Sequence, residues 1–117
     1  MAERLVYEQP HQLSRAELEA EFASDDPERI LNALIAALYT EPAGDLENWC
    51  YKFAAHPSEA ARRGAAIVLG NTASVYGLRD LARAVSVLET LRQEPTLKMH
   101  AEDSLEYVLH SGRKQVQ

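Results

Sequence analysis

Apolar residues recur three or four positions apart along most of the chain, the spacing that gathers them on one face of an α-helix. The clearest apolar stripe follows Pro27 and consists of Ile30, Leu31, Leu34, Ile35, Leu38 and Tyr39. Five further segments carry similar stripes, whereas β-branched and aromatic residues, which favour strands, are sparse. The pattern therefore predicts an all-α chain of six helices joined by short connections.

Capping residues indicate where the first three helices begin. Ser14 is a good N-cap, and Glu17 completes a capping box with it, so the first helix is expected to follow directly. Asp26 and Pro27 open the second helix, because a proline in the first turn loses no helical hydrogen bond. Asp45 is expected to cap the third helix, after the breaking segment EPAG.

The second, fourth and sixth predicted helices share a pattern. Each is predicted to open with a proline, namely Pro27, Pro57 and Pro95. Each then carries apolar or small residues at i, i+4 and i+8, which are Ile30, Leu34 and Leu38, then Ala61, Ala65 and Leu69, then Leu97, Ala101 and Leu105. The interval between copies is the length of one helical hairpin. One hairpin cannot bury its own apolar face, so the pattern predicts three hairpins that stack and share a core.

The segment EAARRGAAIVLGNTA resembles the second helix of a HEAT repeat. The matching positions are Ala61-Arg62, Ala65-Ala66 and Leu69-Gly70. The segment LKMHAEDSLEYVL resembles a degenerate copy, with Lys98 in place of the arginine. The resemblance implies a short right-handed HEAT-like α-solenoid of three stacked hairpins over residues 13–110, with an N-terminal arm at 1–12 and a C-terminal tail at 111–117.

Three residues of the first segment have expected structural roles. By the resemblance, Arg62 braces a neighbouring repeat through an acidic residue or a carbonyl group. Glycine inside a helix costs about 1 kcal/mol relative to alanine, so Gly64 is expected where two helices cross closely. Gly70, which is followed by Asn71, is expected to end its helix.

The net charge of −6 is unevenly distributed along the chain. Residues 1–60 hold 12 acidic and 4 basic residues (−8), whereas residues 61–117 hold 6 acidic and 8 basic residues (+2). Nucleic-acid binding requires a dense basic face, so we expect no nucleic-acid partner, and the acidic half suits a basic protein. No long apolar run or signal-peptide segment occurs, which predicts a soluble, cytoplasmic protein without a membrane partner.

The sequence contains no recognisable constellation of catalytic or metal-binding residues. The single cysteine, Cys50, has no second cysteine to pair with and lies on an apolar stripe. His100 and His110 point to different faces of one predicted helix, and neither an HExxH spacing nor a glycine-rich phosphate loop is present. We therefore expect a protein that is not an enzyme and that uses no metal or cofactor.

The chain also resembles the immunity proteins of polymorphic toxin systems, which include short, acidic, bacterial HEAT-like proteins. This resemblance implies a module that binds and neutralises a toxin domain, often a basic nuclease. The expected partner contacts are acidic groups near helix starts and one tyrosine: Asp25, Asp26, Asp45, Glu47 and Tyr51. Two alternatives stay open. One is a structural or regulatory adaptor or assembly factor, whose binding would depend weakly on salt, and the other is a small enzyme of the bilin-lyase type, which would have a deep pocket.

Overall fold

The computed structural model describes the backbone of residues 13–116 and the side chains of residues 13–111. Within this part of the chain there are six α-helices and no β-strand, as the apolar pattern predicts. The helices are α1 (Arg15–Ala23), α2 (Pro27–Thr40), α3 (Ala43–Ala54), α4 (Glu59–Val75), α5 (Leu81–Leu91) and α6 (Lys98–Val116). None of these described helices is long and apolar enough to cross a membrane. The predicted N-terminal arm, residues 1–12, lies outside the described residues.

The first two helices begin at the capping residues that the sequence predicts. The Ser14 hydroxyl accepts a hydrogen bond of 3.1 Å from the N–H of Glu17, and the Glu17 carboxylate accepts one of 2.8 Å from the N–H of Ser14. The Asp26 carboxylate accepts from the N–H of Glu28 at 2.9 Å, and Pro27 is the first residue of α2. These contacts satisfy N–H groups that an uncapped helix leaves unpaired.

Helix α3 begins earlier than the sequence predicts, so the prediction that Asp45 is its N-cap is wrong. The N-cap is Pro42, and Ala43, Gly44 and Asp45 form the first turn. Proline suits this position because it has no N–H group to leave unpaired. Asp45 still lies at the positive end of the helix dipole, which favours a carboxylate there. The EPAG segment therefore ends α2 and starts α3 within two residues.

Helix α4 does not end at Gly70, where the sequence predicts its end. It continues to Val75, and the chain turns at Gly77, whose φ of 81° lies in the left-handed region. Gly70 is buried where α4 crosses α6, and a Cβ added there would lie 2.9 Å from the Cα of Ser104. The Ser104 hydroxyl donates a hydrogen bond of 2.7 Å to the carbonyl oxygen of Ala66 at the same crossing. Gly70 therefore permits close contact between two helices instead of terminating one.

Two of the three prolines in the repeated pattern lie before their helices. Pro57 precedes Ser58, the N-cap of α4, and Pro95 lies in the turn that leads to Lys98. Only in α2 does the proline occupy the first helical position. At its other end, α6 continues to Val116, so the segment predicted as a tail prolongs the helix in the structure.

Helix α4 is the central helix of the described structure. It packs against α2, α3 and α6, whereas α5 packs mainly against α6 and α1 packs against α2. Six of the nine buried residues of α4 are alanine or glycine: Ala61, Gly64, Ala65, Ala66, Gly70 and Ala73. Its neighbours supply larger apolar side chains that fill the space between helices, including Leu18, Ile30, Leu34, Leu46, Leu88 and Leu97. The core thus forms around a central helix whose buried side chains are mostly small.

Arg62 joins α4 to two chain connections. Its Nε and NH2 groups donate to the two carboxylate oxygens of Glu94, between α5 and α6, at 3.0 and 2.7 Å. Its NH1 group donates to the carbonyl oxygens of His56 and Pro57, before α4, at 2.8 and 2.7 Å. These are an acidic residue and carbonyl groups, the two kinds of contact that the HEAT-repeat resemblance implies for this arginine. The hydrogen bonds from Arg62 hold the pKa of Glu94 below its ordinary value.

The two buried glycines of α4 should respond differently to alanine. In Gly70→Ala the new Cβ meets the Ser104 backbone, so we expect a loss of about 1–3 kcal/mol in the free energy of unfolding. In Gly64→Ala the new Cβ lies 2.9 Å from the end of the Leu31 side chain, which can rotate away. Alanine also gains about 1 kcal/mol in helix propensity, so Gly64→Ala should be nearly neutral. Urea unfolding followed by circular dichroism measures both, and equal losses would contradict this account.

The Arg62–Glu94 pair should make stability depend on acidic pH. Because the folded state lowers the pKa of Glu94, the stabilisation is present above the ordinary value of 4.5 and is lost as pH falls through the lower, folded-state pKa. We expect Glu94→Gln to have a lower urea midpoint than the parent chain at pH 7, with the difference shrinking below pH 4.5. Glu89→Gln is the control, since Glu89 pairs only with Arg92 on the surface of α5. A pH-independent difference for Glu94→Gln would refute the ion-pair explanation.

Candidate protein-binding surface

The structure pairs the three predicted aspartates within the chain. Asp25 is exposed and has a φ of 62°, and its carboxylate lies 2.6 Å from Nε2 of His56. Because Nδ1 of His56 accepts the N–H of Ser58 at 2.9 Å, Nε2 carries the proton and donates to Asp25. Asp26 caps α2, and Asp45 accepts a hydrogen bond of 3.1 Å from Arg15. The three aspartates are thus partly occupied by local contacts.

Glu47 and Tyr51, which the sequence analysis expects to contact a partner, are buried against other parts of this chain. Their exposed fractions are 3% and 6%. The Glu47 carboxylate accepts hydrogen bonds from the N–H groups of Arg79 and Asp80 at 2.9 and 3.0 Å, and from the Tyr51 hydroxyl at 2.7 Å. The connection between α4 and α5 covers this side of α3, which the helical pattern of α3 alone would leave in solvent. Glu47 therefore anchors that connection.

The Tyr51 phenol and the Cys50 thiol, both buried in α3, are not prepared for proton transfer or nucleophilic attack. Burial raises the pKa of the Tyr51 phenol, and the hydrogen bond to Glu47 raises it further. The Arg83 guanidinium lies over the Tyr51 ring, 4.3 Å from its centroid. Burial also raises the pKa of the Cys50 thiol, and a protonated thiol is a poor nucleophile. These groups support the packing of α3 instead of forming a reactive centre.

Large apolar side chains are exposed on the even-numbered helices. Between residues 13 and 111, the large apolar side chains that remain exposed are Ile35, Tyr39, Val75, Tyr76, Met99, Tyr107 and Leu109. They belong to α2, α4 and α6, counting Tyr76, the C-cap of α4. These three helices are neighbours, because α4 packs against both α2 and α6. Apolar groups gathered on adjacent helices are typical of surfaces that bind other proteins.

A groove lies where the carboxyl end of α4 meets α6. It has a volume of about 280 Å³ and is open to solvent, and Tyr76 and Tyr107 are among its walls together with Ser74 and His110. The Tyr76 hydroxyl donates a hydrogen bond of 2.7 Å to the carbonyl oxygen of Leu38, which ties the ring to the end of α2. We call this cleft the Tyr76–Tyr107 groove. Its two aromatic rings can contact a side chain that enters from solvent.

The carboxylates without a partner lie mostly on α6. Among the described side chains, four carboxylates take part in no hydrogen bond or ion pair: Glu28, Glu102, Asp103 and Glu106. The three on α6 are exposed and lie beside Met99 and Tyr107. They are not among the predicted partner contacts, which are acidic groups near helix starts and one tyrosine. The spacing of the segment MHAEDSLEYVLH does indicate them, because it places the acidic residues on the side of the helix opposite Ala101, Ser104 and Val108.

The described part of the chain offers no metal site, and its second groove is lined by a charged pair that is already formed. No group of three or more histidine, cysteine or carboxylate side chains in this part is arranged to hold a metal ion. A second open groove, of about 380 Å³, lies between α1 and α2, and Arg29 beside it is paired with Glu21 at 2.7 Å. The geometry therefore points to the exposed residues of α4 and α6 as the candidate binding surface.

Replacing Glu47 should destabilise the fold even though the change is small. In Glu47→Gln the amide nitrogen cannot accept, so at least one of three donors, the partly buried N–H groups of Arg79 and Asp80 and the Tyr51 hydroxyl, loses its acceptor. We expect a loss of about 1–3 kcal/mol in the free energy of unfolding, measured by urea denaturation. Glu28→Gln removes the same charge from an unpaired surface position and should change stability little. Equal effects of the two substitutions would contradict the anchoring role of Glu47.

Comparison with known proteins adds no identification to this geometry. No protein-family model matches the chain, and no curated protein and no solved structure matches it either.

Proposed function

We propose that this chain is a non-catalytic protein-binding module, and more specifically an immunity protein that binds and neutralises a basic toxin domain. The observation that carries the proposal is the distribution of exposed large apolar side chains, which lie on the adjacent helices α2, α4 and α6. Exposed large apolar side chains on neighbouring helices are a common feature of surfaces that bind other proteins. The immunity role is the finer part of the proposal and rests on the resemblance of the sequence.

The proposed architecture behind this surface is a short right-handed HEAT-like solenoid of three stacked hairpins. Contacts between successive even-numbered helices support it, since α2 packs on α4 and α4 packs on α6. Contacts among the odd-numbered helices support it too, because α3 packs on α5 and Phe22 of α1 lies 4.8 Å from Trp49 and 5.2 Å from Phe53 of α3, between ring centroids. A stack of this kind presents its second helices side by side, which suits an extended binding surface.

Charge supports a basic partner for this surface. The net charge of −6 comes from residues 1–60, so at this surface the support comes from three unpaired carboxylates, which lie on α6 beside exposed apolar residues. Opposite charges accelerate encounter and favour the correct partner, while the apolar groups supply contact area. The buried, protonated state of Cys50 and the shallow grooves favour binding over chemistry.

The proposed function is tested first by isolating the partner. A tagged copy of the chain is purified from its native cells at about 50 mM and about 500 mM salt, and bound proteins are identified by mass spectrometry. We expect one stoichiometric basic protein at low salt and a clear loss of it at high salt, because screening weakens attraction between exposed charges. Equal retention at both salt concentrations would favour the adaptor alternative.

The immunity role is then tested by growth. Expression of the captured protein alone should arrest growth, and co-expression of this chain should restore it. A Gly70→Ala variant is the control for fold stability: it weakens the packing of α4 on α6 but leaves the surface charges unchanged, so it shows how far growth rescue depends on the folded structure. Growth that is unaffected by the captured protein would reject the toxin–immunity relationship.

A further inference from the structure

The outer face of α6 carries three of the four unpaired carboxylates of the described side chains, together with exposed apolar groups. At 100° per residue, the exposed residues of this helix fall on one side: Lys98, Met99, Glu102, Asp103, Glu106, Tyr107, Leu109 and His110, with Lys98 at the edge of that side. The opposite side carries the buried residues Ala101, Ser104, Leu105 and Val108. We call the exposed side the α6 outer face. Met99 is 71% exposed there, and Tyr107 and Leu109 are about half exposed.

The chemistry of the α6 outer face indicates what covers it. The three carboxylates have no ion-pair partner among the described side chains, so a cationic surface gains attraction without breaking an existing contact. The apolar groups that flank them, Met99 and Leu109, require an apolar stripe on the partner. A second copy of this chain does not meet these needs, because the same three carboxylates would face each other. A surface of anionic lipid or nucleic acid repels them for the same reason.

The Tyr76–Tyr107 groove extends the α6 outer face towards α4. Tyr107 belongs to both, and the groove lies at the carboxyl end of α4, where the helix dipole is negative. The faces of aromatic rings attract cations as well. The hydrogen bond from Tyr76 to the carbonyl oxygen of Leu38 holds one wall in place. A lysine or arginine side chain therefore finds two sources of attraction in this groove.

We infer that the α6 outer face and the Tyr76–Tyr107 groove together form a docking site for a basic, amphipathic helix of a partner protein. In this arrangement the cationic stripe of the partner helix lies over Glu102, Asp103 and Glu106, and its apolar stripe contacts Met99 and Leu109. One cationic side chain enters the groove between the two tyrosines. The inference rests on the proposed function, since it names the chemistry of the partner and the part of the surface that meets it.

A synthetic peptide tests the docking site directly. The probe is a fluorescein-labelled peptide of about 18 residues, with lysine and leucine spaced to form two faces of a helix about as long as α6. Binding to the full chain is measured by fluorescence anisotropy at about 50 mM and about 300 mM salt. We expect saturable one-to-one binding that weakens at the higher salt. A peptide of the same composition, scrambled to remove its amphipathic faces, should bind at least about fivefold more weakly, since it cannot present both stripes at once.

Matched variants separate this site from general attraction to an acidic protein. The triple variant Glu102→Gln, Asp103→Asn, Glu106→Gln should weaken peptide binding at least about tenfold, because it removes the charges that face the peptide. The control triple Glu19→Gln, Glu28→Gln, Glu89→Gln removes the same total charge from exposed positions on α1, α2 and α5, and should change the Kd less than about twofold. Circular dichroism melts confirm that both variants are folded. Equal weakening by the two triples would overturn the inference.

The groove has its own pair of variants. Tyr107→Ala removes one aromatic wall and should weaken binding about threefold to tenfold, whereas Tyr107→Phe, which keeps the ring, should restore binding to nearly that of the parent chain. Self-association of the chain during sedimentation, abolished by the α6 triple variant, would overturn the inference in favour of a second copy. Growth rescue that survives the α6 triple variant would reject the docking site while leaving the immunity role standing. If expression of the captured protein alone does not arrest growth, only the immunity role is rejected.

Discussion

Helix α4 is in contact with α2, α3 and α6 at once, and the rest of the fold depends on how closely they can approach it. The tightest approach is the crossing of α4 and α6, where Gly70 lies against the Ser104 backbone and the Ser104 hydroxyl bonds to the carbonyl oxygen of Ala66. Both contacts require small groups on α4. Because that crossing holds one side of α6 in the core, it also determines which side of α6 remains in solvent, and hence which residues a partner can meet.

Local signals in the sequence were sufficient wherever the structure is local. The number of helices, the capping box at Ser14 and the start of α2 at Asp26 all depend on residues a few positions apart. The errors arose where distant segments compete. A glycine followed by asparagine resembles a helix end, but Gly70 is held inside α4 by its packing on α6. Asp45 resembles a cap, but Pro42 takes that position and Arg15 of α1 binds the aspartate.

The candidate site was harder to predict than the fold, and the reason is electrostatic. Acidic residues at helix starts are attractive candidates for partner contact, yet these are the positions where the chain itself has N–H groups and arginines to satisfy, as at Asp26 and Asp45. Glu47 is buried because the connection between α4 and α5 covers α3, and no spacing within α3 reveals that cover. In contrast, the acids of α6 lie beyond the first turn of their helix, where no unpaired N–H group needs a cap, and they have no partner among the described side chains.

This separation of roles has a consequence for binding. Acids committed to caps and ion pairs rigidify the scaffold, and a surface held rigid before encounter loses less conformational entropy when a partner arrives. The uncommitted acids of α6 keep their full charge available for steering, and no internal bond must break before they act. Because Ser104 and Leu105 fasten the opposite side of the same helix to the core, the α6 outer face can change its chemistry without disturbing the fold. A scaffold of this kind can carry different surface chemistry through changes at a few exposed positions, while α4 and its crossings stay the same.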